Sequence, residues 1–537
     1  MRNLIQFTLM LLLMLLFSNC TKKTMKAERP NVIFFLVDDL GWTDVGSYGS
    51  NFYETPNIDK LADQGVKFTD AYAACHVCSP TRASIMTGKY PATINLTDWL
   101  PGRREFPFQK LSNAKINQHL PYEEVTIAEA LKEVGYKTAI IGKWHLGEDP
   151  SNPMAHGFDM HLPNWAWGWP NKGYFAPFGL EGFEDSKDGD YLTDRLTDEA
   201  VNYIESNKDN PFFLYMSHYA VHDPIQGRKD LVEKYSEKLK GTHSNNDPEY
   251  LLEGNPDNPN DFSKEELGEL INTPEYQSYK ILPNGLVKIK QKQDNIEFAG
   301  MVESMDESLG RIVEKLEELE IDDNTIVIFY SDNGGMAAAN VGNPKRIIAA
   351  DKQDWAFSTS NLPLRGAKGW LYEGGIRVPL IVKWPGKGKP GTESAVPITS
   401  VDMFPTIMNM VGAAEKIGKE KEGVDISPLL KGDAMEKGPI YWHFPHYSNH
   451  GMQSPGGAIR EGDYKLLEYF ENGSVQLFNL KDDIGEQHDL SIIEVEKTKD
   501  LRDKLHQWRK DVDAQMMEPN PDYDALVKAD EFYKYKN

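Results

Sequence analysis

Two places in the sequence set adjacent oxygen-bearing side chains just behind an apolar run. Asp38-Asp39 follow Val32-Ile-Phe-Phe-Leu-Val37, and Asp332-Asn333 follow Thr325-Ile-Val-Ile-Phe-Tyr330 and Ser331. Hard oxygen donors without a soft ligand suit Ca2+ or Mg2+, with Ca2+ favoured where the ligands are many and flexible. An aspartate after a strand also caps turns, but two such acidic ends favour a metal. Basic groups accompany them. Gly142-Lys-Trp-His-Leu-Gly147 holds Lys143 and His145, Ser217-His-Tyr-Ala-Val-His222 holds His218 and His222, and Leu364-Arg-Gly-Ala-Lys-Gly369 holds Lys368. Histidines titrating near neutrality can pass protons to a leaving alcohol, and cations hold an anionic group. Gathered in one cleft, such acids and bases point to a metal-bound oxyanion.

The stretch Cys78-Ser-Pro-Thr-Arg-Ala-Ser-Ile-Met-Thr-Gly88 adds a thiol, three residues after Cys75. Cys75-His-Val-Cys78 has the spacing of a redox pair, but no thioredoxin-sized strand–helix–strand unit surrounds it. A thiol is too soft to be a Ca2+ ligand, and a plain thiol nucleophile would want a histidine and a carboxylate as base and orienter. A buried hydrophobe is the usual fate of a free cysteine.

These clusters need elements to position them. Four apolar runs, Val32–Val37, Thr138–Ile141, Phe212–Met216 and Thr325–Tyr330, lack the alternation of a half-exposed strand and suit a parallel sheet buried on both faces. Thr126-Ile-Ala-Glu129 predicts a capped helix closed by Gly135. Phe298, Met301, Met305, Leu309, Ile312 and Leu316 predict another, with one apolar face. In open α/β sheets ligands bind beyond the carboxyl ends of the strands, so all four polar clusters should converge. Residues from Gln226 to about Asn295 read as a polar insertion with helix around Lys229–Leu239. Beyond Gly386 the pattern predicts a helix at Met403–Val411, short strands at Tyr464–Tyr469 and Val475–Phe478 separated by Glu471-Asn-Gly473, and a final helix near Leu501–Val512.

At 537 residues the chain can build one large core and a smaller unit. Residues 1–20 read as an export signal: Arg2 precedes the apolar run Leu11–Leu16, and Phe17-Ser-Asn-Cys20 resembles a bacterial lipoprotein box with Cys20 as the lipidated residue. Residues 21–28 would be a tether, 29–385 the catalytic domain with its insertion at about 226–295, and 386–537 a C-terminal subdomain. The net charge of −24 argues against nucleic acid as a partner. Three cysteines in all exclude a disulfide framework.

Cys78-x-Pro80-x-Arg82 with Thr87-Gly88 resembles the signature of the type I sulfatases. The likeness extends over nearly the whole chain, through Val37-Asp-Asp-Leu-Gly-Trp42, Thr55-Pro-Asn-Ile-Asp59, Gly142–Gly147, Val221-His-Asp-Pro224, Ser331-Asp-Asn-Gly-Gly335 and Tyr372-Glu-Gly-Gly-Ile-Arg-Val-Pro379. It implies an alkaline-phosphatase-like α/β fold: a large, mixed, mostly parallel sheet between helices, with a smaller C-terminal antiparallel sheet plus helix. It implies that a formylglycine-generating enzyme converts Cys78 to Cα-formylglycine, and that Asp38, Asp39, Asp332 and Asn333 bind one Ca2+ which also contacts residue 78. Arg82, Lys143 and His145 would stabilise the hydrated aldehyde, one hydroxyl of which attacks sulfur. His222 and Lys368 would assist the departing sugar alcohol and hold the sulfate oxygens. His145 would then take a proton from the second hydroxyl, releasing sulfate and restoring the aldehyde.

The expected substrate is a sulfated polysaccharide or oligosaccharide, by preference a marine algal polymer such as ulvan or carrageenan, met in the periplasm or at the cell surface. The lipid anchor would be the only membrane attachment. Trp167, His443 and His446 could contact sugar faces, although packing is the plain alternative. The competing readings are a glycosaminoglycan sulfatase, a phosphomonoester or phosphonate hydrolase of the same fold, and a non-catalytic glycan-binding lipoprotein.

Overall fold

The strand Asn31–Val37 is buried along its whole length, and its residues alternate between two cores. Val32, Phe34 and Leu36 pack on one side of the sheet, and Ile33, Phe35 and Val37 on the other. That is why the run is continuously apolar: neither face meets water. The structure, a computed structural model, describes residues 29–241, 248–254, 262–276, 282–340 and 355–530. Cys20 and the export and tether readings of residues 1–28 lie outside the described residues, as do parts of the insertion.

Eight strands form the large sheet in the order Thr392–Ser394, Val66–Phe68, Leu380–Lys383, Thr325–Ser331, Asn31–Val37, Phe212–Ser217, Lys137–Gly142 and Met160–Leu162. The four predicted strands are its parallel centre, with Asn31–Val37 between Thr325–Ser331 and Phe212–Ser217. Leu380–Lys383 runs antiparallel to both its neighbours, which makes the sheet mixed. Helices cover both faces. Ile296–Glu318 packs on Pro56–Gln64, Leu192–Asn207 and Lys229–Gly241, while Cys78–Thr87, Ile127–Glu133 and Met403–Met410 lie opposite. The predicted box at Thr126 is present: its hydroxyl accepts from the Glu129 amide, and Glu129 bonds back.

A second sheet, Ile440–Phe444, Gly456–Glu461, Tyr464–Tyr469 and Val475–Asn479, is antiparallel throughout and carries the helix Val495–Asp511. Leu501 and Leu505 of that helix pack with Trp442, Leu466 and Leu477. A buried charge cluster joins this layer to the rest. Glu373 accepts from Lys465 at 2.9 Å, Arg377 at 2.6 Å and the Tyr72 hydroxyl at 2.7 Å.

Two details depart from the sequence reading. Thr392–Ser394 pairs with Val66–Phe68, and Met403–Met410 packs on Cys78–Thr87, so residues after 386 still belong to the large layer. The short strand Val66–Phe68 needs this partner to cover its outer edge. The polar insertion is also more ordered than its composition suggests, with a hairpin pairing Tyr250–Gly254 to Leu286–Lys290 and a boxed helix at Lys264–Leu270.

Candidate active site

The carboxyl ends of the central strands converge, and Cys78 opens the ten-residue helix that faces them. Asp38 and Asp39 follow the first strand, Lys143 and His145 the strand ending at Gly142, and Asp332 and Asn333 the strand ending at Ser331. Lys368 and His222 come from loops. Two of these residues, Asp39 (φ 61°) and His145 (φ 57°), adopt the left-handed region, which costs a non-glycine residue free energy and must be held by its surroundings.

Gly142 shows how tightly. Its φ is 111°, and a Cβ there would stand 1.8 Å from the Ser217 carbonyl oxygen, which accepts the Lys143 amide at 2.7 Å. We expect Gly142→Ala to lower unfolding stability by about 3 kcal/mol or more, measured by urea titration. A shift below one third of that would show that the strand end is pliable.

Ion pairs knit the floor of the site. Arg82 donates from Nε to Asp332 at 2.8 Å and from Nη1 to Ser217 Oγ at 2.6 Å. Lys143 Nζ reaches Asp38 at 2.5 Å, and Lys368 Nζ reaches Asp39 at 2.6 Å. Burial and the neighbouring Asp332 push the Asp38 carboxyl well above the usual carboxylate range. Burial pushes the same way at Asp39, but Lys368, His222 and Lys143 outweigh it and hold that carboxyl low. At Asp332 burial is likewise outweighed, by Arg82 and Lys143.

The cations do not satisfy everything. Asp38 Oδ1 and Asn333 Oδ1 are sealed from water without a hydrogen-bond partner. Oxygens of Asp38 and Asp332 lie within 4.8 Å of each other and of Cys78 Sγ. Orphaned hard oxygens beside three buried carboxylates are the donor set a Ca2+ ion takes, so the residues fit the group that the sequence implies.

Cys78 Sγ lies 3.3 Å from His145 Nδ1, and His145 Nε2 lies 2.8 Å from the Leu100 carbonyl oxygen. A carbonyl can only accept, so Nε2 carries the proton. Burial, reinforced by Lys143, holds the ring neutral. Nδ1 therefore offers its lone pair to whatever stands at position 78. His222 differs. Burial and Lys368 act against its charge, but Asp39, Asp38 and Asp223 prevail and hold it up at about 9. Its Nδ1 pairs with Asp223 at 2.9 Å, and Nε2 is 3.7 Å from Asp39.

Above this floor opens a cleft of about 770 Å³ lined by Cys78, His145, His222 and Lys368. All six predicted catalytic residues and four predicted metal ligands are thus brought together. His218 is turned away, with Nε2 3.1 Å from Ser308 Oγ and its ring against Phe35. Cys75 packs with Val77 and Phe444, and both thiols are free.

The sulfatase family model matches residues 30–413. The chain belongs to the sulfatase family. This sulfatase is a sulfuric ester hydrolase, and its residues 367–515 also match the family described as N-sulphoglucosamine sulphohydrolase, C-terminal. It is 29% identical to a sulfatase of Formosa agariphila, over 89% of this chain and 87% of that one. It is 28% identical to human N-acetylgalactosamine-6-sulfatase, over 78% and 68% of the two chains. Among solved structures, Ps i-CgsB in complex with k-i-k-neocarrahexaose is similar with a TM-score of 0.66 and 29% identity, over 94% of this chain and all of that one.

Two of the three predicted sugar contacts, His443 and His446, need correction. His443 and His446 are buried, with Nε2 of His443 2.8 Å from the Gln515 carbonyl and Nε2 of His446 2.8 Å from Thr97 Oγ1. Each packs on an aromatic neighbour inside the protein, His443 on Phe470 at 5.5 Å and His446 on Phe444 at 5.2 Å. Trp167 is exposed and lines a neighbouring pocket of about 430 Å³, which shares Pro101 and His145 with the main cleft. Trp169, 5.5 Å away ring to ring, lines the main cleft. Trp99, Arg104, Asn449 and His450 also line it and carry no sequence motif that marks them. The one available hint was the aromatic run Asn164-Trp-Ala-Trp-Gly-Trp-Pro170, which holds Trp169.

Proposed function

We propose that this sulfatase removes sulfate esters from a sulfated polysaccharide or oligosaccharide, with residue 78 as the nucleophile. The observation that carries this is the 3.3 Å approach of Cys78 Sγ to the unprotonated nitrogen of a neutral His145, inside a cleft also lined by Lys368 and His222. Conversion of Cys78 to Cα-formylglycine would supply an aldehyde that, once hydrated, offers one hydroxyl to attack sulfur as the sugar oxygen departs and a second whose deprotonation expels the sulfate, which a serine hydroxyl cannot do. Asp38, Asp39, Asp332 and Asn333 would hold Ca2+, which would supply positive charge beside the sulfate oxygens.

The chain's own residues carry the rest. Lys143 and Lys368 pair with the adjacent carboxylates Asp38 and Asp39 and bring two ammonium groups to the site where sulfate charge would gather. Arg82, pinned by Asp332 and Ser217, holds the wall beneath residue 78. His222, charged and anchored through Nδ1, is the proton donor to the departing sugar oxygen. His145 accepts a proton at Nδ1 from the group at position 78, while the Leu100 carbonyl keeps Nε2 protonated and the ring fixed.

For the substrate we favour an algal polymer such as carrageenan or ulvan. The likeness to Ps i-CgsB bound to a neocarrahexaose supports it. The human relative's name keeps a glycosaminoglycan as the second reading. Export and lipidation at Cys20 complete the proposal. The test is protein produced with a formylglycine-generating enzyme and assayed on matched aryl sulfate and aryl phosphate esters, then on sulfated oligosaccharides. Sulfate release at least ~100-fold faster than phosphate release is expected, a difference of about 2.7 kcal/mol in barrier. Faster phosphate release would replace the sulfatase reading with the phosphomonoesterase one.

A further inference from the structure

The cations of the site floor and of the cleft above it fall into two sets. Arg82, Lys143 and Lys368 are committed to Asp332, Asp38 and Asp39. Arg103, higher in the wall, donates to the Ser448 carbonyl at 2.8 Å and lies over the Phe106 ring at 5.3 Å. Arg104, the next residue, also lines the cleft, is exposed, and has no hydrogen-bond or ion-pair partner among the described residues. We infer that Arg104 is a specificity-determining residue that reads a second anionic group, a sulfate ester or a carboxylate, on the glycan whose sulfate is removed below it. This rests on the sulfatase reading above.

Three observations support it. The loop is tied down on both sides of Arg104: the Arg103 amide donates to Asp98 at 3.2 Å, the Arg103 carbonyl accepts from Asn113 at 3.1 Å, and Glu105 accepts the Asn113 amide at 2.9 Å. The guanidinium thus springs from a fixed base, and less freedom is lost when it engages a ligand. The wall around it is aromatic, with Trp99 and Trp169 lining the cleft as faces for sugar rings. The third is charge. In a chain of net charge −24 a polyanion is repelled over most of the surface, so an uncommitted arginine at the cleft gives its second charge a place to land. Among the described residues the acid lining the cleft is Asp223, which is held by His222. A guanidinium presents two parallel N–H groups, which match sulfate or carboxylate oxygens.

The experiment uses pairs of oligosaccharides that differ only in a second sulfate or in a uronate carboxylate. They serve as substrates where wild-type protein turns them over and otherwise as competitors of aryl sulfate hydrolysis, with calorimetric binding in parallel. Wild type should favour the doubly anionic member by ~10-fold in KM or Kd, the scale of a charge-assisted hydrogen bond. Arg104→Ala should bring that ratio towards one, and Arg104→Lys should keep part of it. The arm that shows the ratio identifies the anion. No preference in wild type, or a ratio unchanged in Arg104→Ala, overturns the inference. Absence of any sulfate ester hydrolysis by wild type would instead overturn the function, and the binding ratios would still report on Arg104.

Discussion

Alanine at position 78 is expected to leave a folded protein whose sulfate ester hydrolysis is lower by on the order of 10⁴-fold or more. Removing the attacking group abolishes the covalent route, whereas Lys143, Lys368 and the metal ligands would still bind the ester. Substrate affinity should therefore survive where turnover does not. The fold should tolerate the change. Cys78 is the first residue of its helix, its thiol makes one contact to His145, and truncation removes a single buried sulfur. Thermal unfolding should stay within a few degrees of wild type, on the order of the shift that ~1 kcal/mol produces. Mass measurement of the wild-type peptide spanning Cys78 should find an aldehyde in place of the thiol. Full activity with an intact thiol would defeat the mechanism.

Replacing Asp332 by Asn is expected to act on stability and activity together. Asp332 accepts from Nε of Arg82 at 2.8 Å, Nη2 stands in ion-pair contact with it at 2.8 Å, and both side chains are buried. Losing one partner of such a pair leaves an uncompensated buried guanidinium, at about 3–5 kcal/mol. The same change removes an anionic donor from the candidate Ca2+ site. Asn333→Ala separates the two effects, because it deletes an orphaned oxygen and one amide donation to Asp39 at 2.8 Å and leaves every charge in place. For wild type stripped by a chelator, Ca2+ at a hundredfold excess over Kd should stabilise the fold by about 2.7 kcal/mol. That gain should shrink in Asn333→Ala and vanish in Asp332→Asn, read by denaturant titration with and without the ion. An equal gain in all three proteins would place the ion elsewhere.

Some of this was legible from one strand. Asn31–Val37 reads as doubly buried because all its residues are apolar but the first, and Asp38-Asp39 read as a strand-end cluster because two adjacent acids break the apolar run. Patterns of that kind are local, and local spacing reports them. His443 and His446 show the opposite case. Their run, Tyr441-Trp-His-Phe-Pro-His446, looks like a sugar-stacking surface, yet the strand turns it inward against Thr97 and the chain at Gln515. No spacing rule distinguishes an aromatic that packs from one that binds, since both bury area.

The residue types and their order were enough to establish the family, the parallel centre of the sheet and the set of groups at its carboxyl end, because each depends on contacts within a short stretch or on a motif that chemistry constrains. The second layer of the site arises only when distant segments meet. The Leu100 carbonyl selects the tautomer of His145, Ser217 braces Arg82, and residues near 100, 169 and 450 form one cleft. Those partners are separated by tens to hundreds of positions and bear no motif, so hydrogen bonding and packing across the folded chain alone bring them into register.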